Sequence, residues 1–276
     1  MFANTTIAFI GSGAMAEAII HGILDKGLAQ PGQIIASDVR AERLRELEGR
    51  YGVRTTADNR EAAQAADIVV LSVKPQVLAT ILGETGGLLR EEQLVLSIVA
   101  GASVETIAEA LGHRAIVRVM PNTPAQVGAG MSVWTATAAV SEAQRAQARA
   151  ILAALGEEIY VPDEHYLDMA TAVNGSGPGF IFLLLEGMVD AAVHLGFARP
   201  VAEKLVIQTA LGSALYAKQS GKHLAELRNM VTSPGGTTAE GLYHLEERGV
   251  RAALAKAIWA AYEKSVRLGE LSKKKP

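Results

Sequence analysis

Along the first 160 or so residues, short continuous apolar runs alternate with stretches whose apolar positions recur every three or four residues. The runs at 6–10, 33–37, 53–55, 68–73, 94–98 and 115–119 read as strands, and those at 14–25, 41–48 and 104–110 as helices. Asp67-Ile68-Val69-Val70-Leu71-Ser72-Val73 is apolar at successive positions rather than at every other one. A strand of that kind is covered on both faces, the condition inside a parallel sheet flanked by helices. Strand–helix alternation therefore predicts a doubly wound α/β domain. A strand at 132–137, a helix at 141–155 and a strand at 158–161 extend the same sheet. Ser141 and Gln144 form a capping box at the start of that helix.

From about residue 163 the β-rich runs stop. Helical patterns follow at 164–172, 179–195, 201–219, 224–230, 238–247 and 250–268. They are rich in Ala, Gly and Leu, and few show a wide polar face. Helices apolar nearly all round need more partners than one small domain provides, so an obligate interface and a homodimer through this half are expected. The predicted organisation is a doubly wound sheet over residues 1–162 followed by an all-α domain over 163–276, which suits a chain of 276 residues.

Composition narrows the chemistry. The chain has no cysteine, which removes disulfide frameworks, thiolate metal sites and cysteine nucleophiles. A net charge of −3 provides no global field for nucleic acid or anionic lipid, and no such partner is expected. No basic n-region precedes the first apolar run. The greasiest stretch, 180–185, is interrupted at Glu186 and Asp190, short of a bilayer-spanning helix. A soluble, cytoplasmic protein with a solvated Lys273-Lys274-Lys275-Pro276 tail is the expectation. The six histidines show no metal spacing, so no metal is expected. There is no G-x-S-x-G elbow, no P-loop and no paired carboxylates to act as acid and base. The chemistry has to come largely from a cofactor.

The first predicted strand runs into Gly11-Ser12-Gly13-Ala14-Met15-Ala16, which opens a helix. This is the G-x-G-x-x-G/A dinucleotide pattern. Its first Gly makes the tight turn, the second admits a pyrophosphate to the backbone, and the small third residue packs helix on strand. A helix N-terminus there supplies N–H groups and partial positive charge. Asp38 follows at the end of the second strand, where an acidic residue favours an unphosphorylated ribose; Ser37 and Arg40 beside it, with Arg43 further off, suit a 2′-phosphate instead. Residues alone leave NADH and NADPH both open. Three more loops, Ser72-Val73-Lys74-Pro75, Val99-Ala100-Gly101 and Met120-Pro121-Asn122-Thr123-Pro124, follow buried strands and would line the same crevice.

Two loops in the second half look chemical. Asn174-Gly175-Ser176-Gly177-Pro178-Gly179 precedes the most apolar helix, with Pro178 suited to its first turn. In Val231-Thr232-Ser233-Pro234-Gly235-Gly236-Thr237-Thr238, Thr237 and Glu240 form a capping box, and hydroxyls converge with free N–H groups on a carboxylate or phosphate cradle.

These loops together carry a resemblance that covers essentially the whole chain. Ile10-Gly11-Ser12-Gly13-Ala14-Met15-Ala16, Ser72-Val73-Lys74-Pro75-Gln76, Arg118-Val119-Met120-Pro121-Asn122-Thr123-Pro124, Gly175-Ser176-Gly177-Pro178 and Thr232-Ser233-Pro234-Gly235-Gly236-Thr237-Thr238 resemble pyrroline-5-carboxylate reductase. The last run, continuing to Glu246, is the most specific. The resemblance implies a Rossmann-type domain, a helical dimerisation domain with the active site between them, and dimers often assembled into a decamer. It implies hydride transfer from NAD(P)H, NADPH being the more usual donor, to the C=N carbon of 1-pyrroline-5-carboxylate. Ile10, Gly11, Ser12, Gly13, Ala14 and Met15 would hold the pyrophosphate. Ser37, Arg40, Asn59, Ser72, Val73, Lys74, Pro75, Val99 and Ala100 would complete the cofactor site. Ser176, Gly177, Pro178, Ser233, Gly236, Thr237 and Thr238 would hold the substrate, Thr238 also aiding protonation of the ring nitrogen.

Where the family commonly reads Ser-Gly-Ser-Gly-Pro-Ala-Tyr, this chain has Asn174, Gly179 and Phe180. An aromatic survives at 180 but its hydroxyl does not. Two other readings compete: another imine reductase or a β-hydroxyacid dehydrogenase, and a non-catalytic NADP-binding sensor. The dehydrogenase reading lacks its base, since the position of its catalytic Lys is Ile181 here.

Overall fold

The computed structural model describes residues 2–273; Lys274-Lys275-Pro276 of the expected tail lie outside the described residues. Strands β1 (Ile7–Ile10), β2 (Ile34–Ser37), β3 (Arg54–Thr56), β4 (Ile68–Leu71), β5 (Leu94–Ser97) and β6 (Ile116–Met120) alternate with helices α1 (Ala14–Asp25), α2 (Ala41–Tyr51), α3 (Asn59–Ala65), α4 (Pro75–Thr85) and α5 (Val104–Leu111). Then come β7 (Gly130–Ala136), α6 (Glu142–Ala153) and β8 (Gly156–Tyr160). All eight strands form one sheet, in the order β3-β2-β1-β4-β5-β6-β7-β8. β1 pairs in parallel with both β2 and β4, so strand order reverses at β1 and the ligand crevice lies outside the carboxyl ends of β1 and β4.

The continuous apolar strands are buried on both faces, as their pattern requires. Ile7, Phe9, Val70, Leu96 and Val117 pack into one core with α1 and α6. Ala8, Ile10, Val69, Leu71 and Val95 pack into a second core on the other face with α3, α4 and α5. The Ser141–Gln144 capping box is formed, with the Ser141 hydroxyl accepting from the Gln144 amide at 3.2 Å and the Gln144 carbonyl oxygen accepting in return at 2.9 Å. β7 extends the sheet as expected, and it runs antiparallel to β6. A short 3₁₀ turn at Thr123–Val127 joins the two, a connection too short for the crossover that parallel pairing needs. Helix α4 follows directly on the Ser72–Pro75 loop, its Pro75 occupying the first helical position.

The helical half comprises α7 (His165–Ala170), a wide π turn at Thr171–Gly175, α8 (Gly177–His194), α9 (Arg199–Ser220), α10 (Leu224–Met230), α11 (Thr237–Glu247) and α12 (Val250–Lys273). Composition changes at residue 163, but compactness divides the chain later. One unit contains the residues up to Ser176 together with those from Ala261 onward; the other is Gly177–Ala260. The first unit extends past 163 because α7 packs on β6 and β7, and Glu164 accepts from Arg118 of β6 and from the Val104 amide. The returning end of α12 joins it, with the Ser265 hydroxyl donating to Asp168 at 2.8 Å and the Tyr262 hydroxyl meeting His165.

In the second unit, α8 and α9 pack around Val189, Ala202 and Val206, and little else is buried. Phe182 and Leu183 are 62% and 67% exposed. This corrects one expectation: the helical stretch His165–His194 is long and apolar enough, by length and composition, to cross a membrane. Glu186 and Asp190 interrupt the run without offsetting its apolar average.

Candidate active site

The glycine turn sits at the reversal point of the sheet. Gly11 has φ +84°, a left-handed conformation that only glycine adopts without strain. Its amide donates to the Ser37 carbonyl at 2.9 Å, and the Ser72 hydroxyl donates to its carbonyl at 2.6 Å. Ile10 is fully buried, its carbonyl accepting from the Ser72 amide. Ser12 is buried too, its hydroxyl donating to the Ser37 carbonyl at 3.0 Å. The turns after β1 and β4 are thereby sewn together, which brings Gly11–Met15 beside Ser72–Pro75.

A pyrophosphate fits this turn. No side chain caps the N-terminus of α1, so its first N–H groups are open to an anion. A Cβ placed on Gly13 would meet nothing within 4 Å, so there is space directly over the backbone.

Asp38, one of the two alternatives read for the ribose, is engaged within the chain. Its carboxylate accepts from the Ser12 amide (3.1 Å), the Arg40 amide (3.0 Å), and Arg40 Nε (3.0 Å) and Nη2 (3.1 Å). Burial alone would raise its pKa. The hydrogen bonds from the Arg40 side chain and from the two amides outweigh that and hold it below the ordinary carboxylate value. A carboxylate offers about four lone-pair sites, and all are taken within the chain. The Arg40 side chain is 61% exposed. Arg43 is not a free cation either: its Nε donates to the Ser12 carbonyl at 2.7 Å and its guanidinium pairs with Glu17 and Glu46.

Glu17 was missed by the sequence reading. It receives Arg43, Arg50 and the Tyr51 hydroxyl, tying α1 to α2 just behind the glycine turn. Burial pushes its carboxyl up, and these bonds outweigh burial and hold it down. An acidic residue in the first turn after the glycines was the available signal.

The remaining cofactor candidates divide. Ser37 is fully buried, and its hydroxyl donates to Asn59 Oδ1 at 2.8 Å rather than outward; Asn59 donates in turn to Glu84. Val73 packs against Gly11. Lys74 is exposed and caps α4 ahead of Pro75. Val99 is buried with its amide on Ser97, and Ala100 leads into Gly101 at φ +75°.

Among the substrate candidates, Ser176 closes the π turn, its amide donating to the Thr171 carbonyl at 2.9 Å. Gly177 and Pro178 begin α8. The loop before α11 folds differently from expectation. Gly236, not Thr237, is the N-cap, and no side chain caps it. Gly235 has φ +66° and the Gly236 amide bonds to the Ser233 carbonyl, a tight turn that draws Thr237 into the helix and prevents its box with Glu240. The consequence is a more open cradle. The α11 amides are uncapped, Ser233, Thr237 and Thr238 are all exposed, and neither threonine hydroxyl has a hydrogen-bond partner among the described residues. No cluster of His, Cys, Asp and Glu able to hold a metal occurs among the described residues.

Comparison with known proteins is consistent with both halves of this picture. Residues 164–268 match the family model for pyrroline-5-carboxylate reductase dimerisation, and residues 6–101 match that for NADP oxidoreductase coenzyme F420-dependent. The chain is 41% identical over 264 residues to the pyrroline-5-carboxylate reductase of Synechocystis sp., covering 96% of this chain and 98% of that one. Among solved structures it is similar to a pyrroline-5-carboxylate reductase from Coxiella burnetii, with a TM-score of 0.89, 37% identity and coverage of 96% and 99%. It is also similar to the Plasmodium falciparum pyrroline carboxylate reductase with NADP bound, with a TM-score of 0.88, 30% identity and coverage of 96% and 98%.

Proposed function

The chain belongs to the pyrroline-5-carboxylate reductase family, and from that premise we propose how its residues divide the work of reducing 1-pyrroline-5-carboxylate to L-proline, the last step of proline biosynthesis. The carrying observation is a likeness to named reductases over 96% of the chain. NAD(P)H supplies a hydride to the imine carbon. The glycine turn Gly11–Met15 and the uncapped amides of α1 hold its pyrophosphate, with Ser72–Pro75, Val99 and Ala100 along the crevice. Ser37 and Asn59 act from behind, shaping the pocket through their mutual hydrogen bond.

NADPH is the preferred donor in this reading. Asp38 has no lone pair left for a ribose hydroxyl, while Arg40, held by Asp38, offers an exposed guanidinium to a 2′-phosphate. Ser233, Thr237 and the α11 amides take the substrate carboxylate, with Gly236 keeping the turn tight. A Cβ at Gly236 would come within 2.5 Å of the Ser233 hydroxyl. Ser176, Gly177 and Pro178 contact the ring, and Thr238 hydrogen-bonds its nitrogen. The protein mainly aligns the reacting atoms, which is catalysis by positioning.

The test follows NADPH and NADH absorbance with 1-pyrroline-5-carboxylate and then with β-hydroxy acids. Turnover on the imine alone is expected; turnover only on hydroxy acids, or binding without turnover, would favour the dehydrogenase or the sensor. In the same assay Arg40→Ala is expected to raise KM for NADPH about tenfold and leave NADH nearly unchanged, a loss of one exposed charge-assisted contact. Equal effects on both would remove Arg40 from the 2′-phosphate.

The exposed faces of α8 and α9 lie within the stretch matching a dimerisation model, and we assign them to a homodimer, with dimers further assembled into a decamer. The apolar stretch His165–His194 is accounted for by that contact, and the protein works in the cytoplasm. Sedimentation is expected to give a dimer or a multiple of dimers, and Phe182→Glu with Leu183→Glu to break it. A monomeric wild type would overturn the assignment.

A further inference from the structure

We propose that Asn174 is a positioning residue, which with Asn122 sets the place of Ser176 at the carboxyl end of β6; the inference rests on the reading of Ser176 as a substrate residue. Asn174 Nδ2 donates to the Met120 carbonyl at 3.0 Å and to the Met131 carbonyl at 3.1 Å. Its Oδ1 accepts from Asn122 Nδ2 at 2.7 Å. Asn122 Oδ1 accepts from the Met131 amide at 2.9 Å. The two carboxamides thus run head to tail, and backbone groups fix their polarity: carbonyls, which only accept, at one end, and an N–H, which only donates, at the other.

Met120 ends β6 and Met131 lies near the start of β7, on either side of the loop that carries Asn122. Asn174 therefore clamps the turn Thr171–Gly175 onto both strands of the antiparallel pair where they separate. The clamp matters because this turn is a π turn, with Ser176 reaching back five residues to Thr171. A single wide turn inserted in a helix is a costly local arrangement that persists where neighbours hold it. At Gly175 the Met120 methyl group packs directly over the backbone, and a Cβ there would require that flexible end of the side chain to shift. The hydrogen bonds of Asn174 hold the turn against β6 and β7, and Ser176 follows two residues later.

The experiment measures KM and kcat for both substrates in Asn174→Asp, Ser176→Ala and the double variant, across pH. Asn174→Asp places an oxygen against two carbonyls. It is expected to raise KM for 1-pyrroline-5-carboxylate about tenfold at neutral pH, with KM for NADPH and kcat nearly unchanged. Lowering the pH should narrow the gap to wild type, because the protonated carboxyl regains a donor. The double variant should be no worse than Ser176→Ala alone. If Ser176→Ala leaves KM unchanged, the reading of Ser176 is wrong and the inference falls with it. If Ser176→Ala raises KM while Asn174→Asp does not, or the two effects multiply, the positioning role alone is overturned. Asn122→Asp, which turns the donation to Asn174 Oδ1 into one oxygen facing another while keeping the Met131 amide bond, should give the same KM-selective pattern more weakly. It decides the matter if Asn174→Asp does not fold; an unchanged KM there refutes the proposal.

Discussion

Replacing Thr238 with alanine is expected to lower kcat about a hundredfold while KM for 1-pyrroline-5-carboxylate rises only slightly. As hydride arrives at the imine carbon, the electron pair of the C=N bond moves onto nitrogen, which becomes a basic amine. A hydroxyl aligned on that nitrogen interacts more strongly with the transition state than with the bound imine, and an interaction of that kind shows in kcat. A hundredfold is about 2.7 kcal/mol at 1.36 kcal/mol per factor of ten, the low end of what a positioned proton donor contributes. Thr238 suits the role because it sits in the first turn of α11, exposed, with its hydroxyl unengaged by the helix. Thr238→Ser, which keeps the hydroxyl, should retain most of kcat. Steady-state kinetics of both variants check this. A raised KM with unchanged kcat would reduce Thr238 to a binding residue.

Gly11→Ala is expected to weaken NADPH binding by about a hundredfold or more and to lower Tm by several degrees. Two costs combine. An L-residue at φ +84° is strained by about 1–2 kcal/mol. The new Cβ would also lie 2.6 Å from Val73 Cγ1, 3.1 Å from the Ser72 carbonyl oxygen and 3.1 Å from Val73 Cα. Two of those atoms are backbone, so relief requires moving the whole turn after β4, which the proposed function places along the cofactor crevice. Gly13→Ala separates the protein's need from the ligand's. Its φ is −73° and its Cβ would meet nothing, so Tm should hold while NADPH affinity still falls. Calorimetric titration and thermal melts of both variants test the pair. Unchanged NADPH affinity in Gly11→Ala, or an equal loss of Tm in Gly13→Ala, would refute it.

How far the sequence could be read depended on how local each constraint was. Continuous apolar runs such as Ile68–Leu71 announced buried parallel strands because burial on both faces is a property of the strand itself. The glycine turn was legible for the same reason. The direction of β7 was not, since it depends on how Thr123–Val127 turns rather than on hydrophobic pattern. The cap of α11 was misplaced by one residue. A Ser-Pro-Gly-Gly turn admits either Gly236 or Thr237 at that position, and the backbone of Gly235 decides. Least legible were the long-range polar contacts. Asp38 and Arg40 read as alternatives at the ribose, and nothing local showed that they bond to each other and that Ser12 joins them. Nothing in the spacing of Asn122 and Asn174, 52 residues apart, marks them as one hydrogen-bonded pair.

The return of α12 to the first unit has a consequence for how the chain is made. Gly101 sits against the backbone and side chain of Leu268, and Ser265 is buried there on Asp168. Two stretches of the nucleotide-binding unit are thus separated by the whole of the other unit. During synthesis from the N-terminus the sheet emerges early, but its last packing partner leaves the ribosome only after Gly177–Ala260. The unit that carries the sheet can therefore complete its packing only after the other unit has been synthesised.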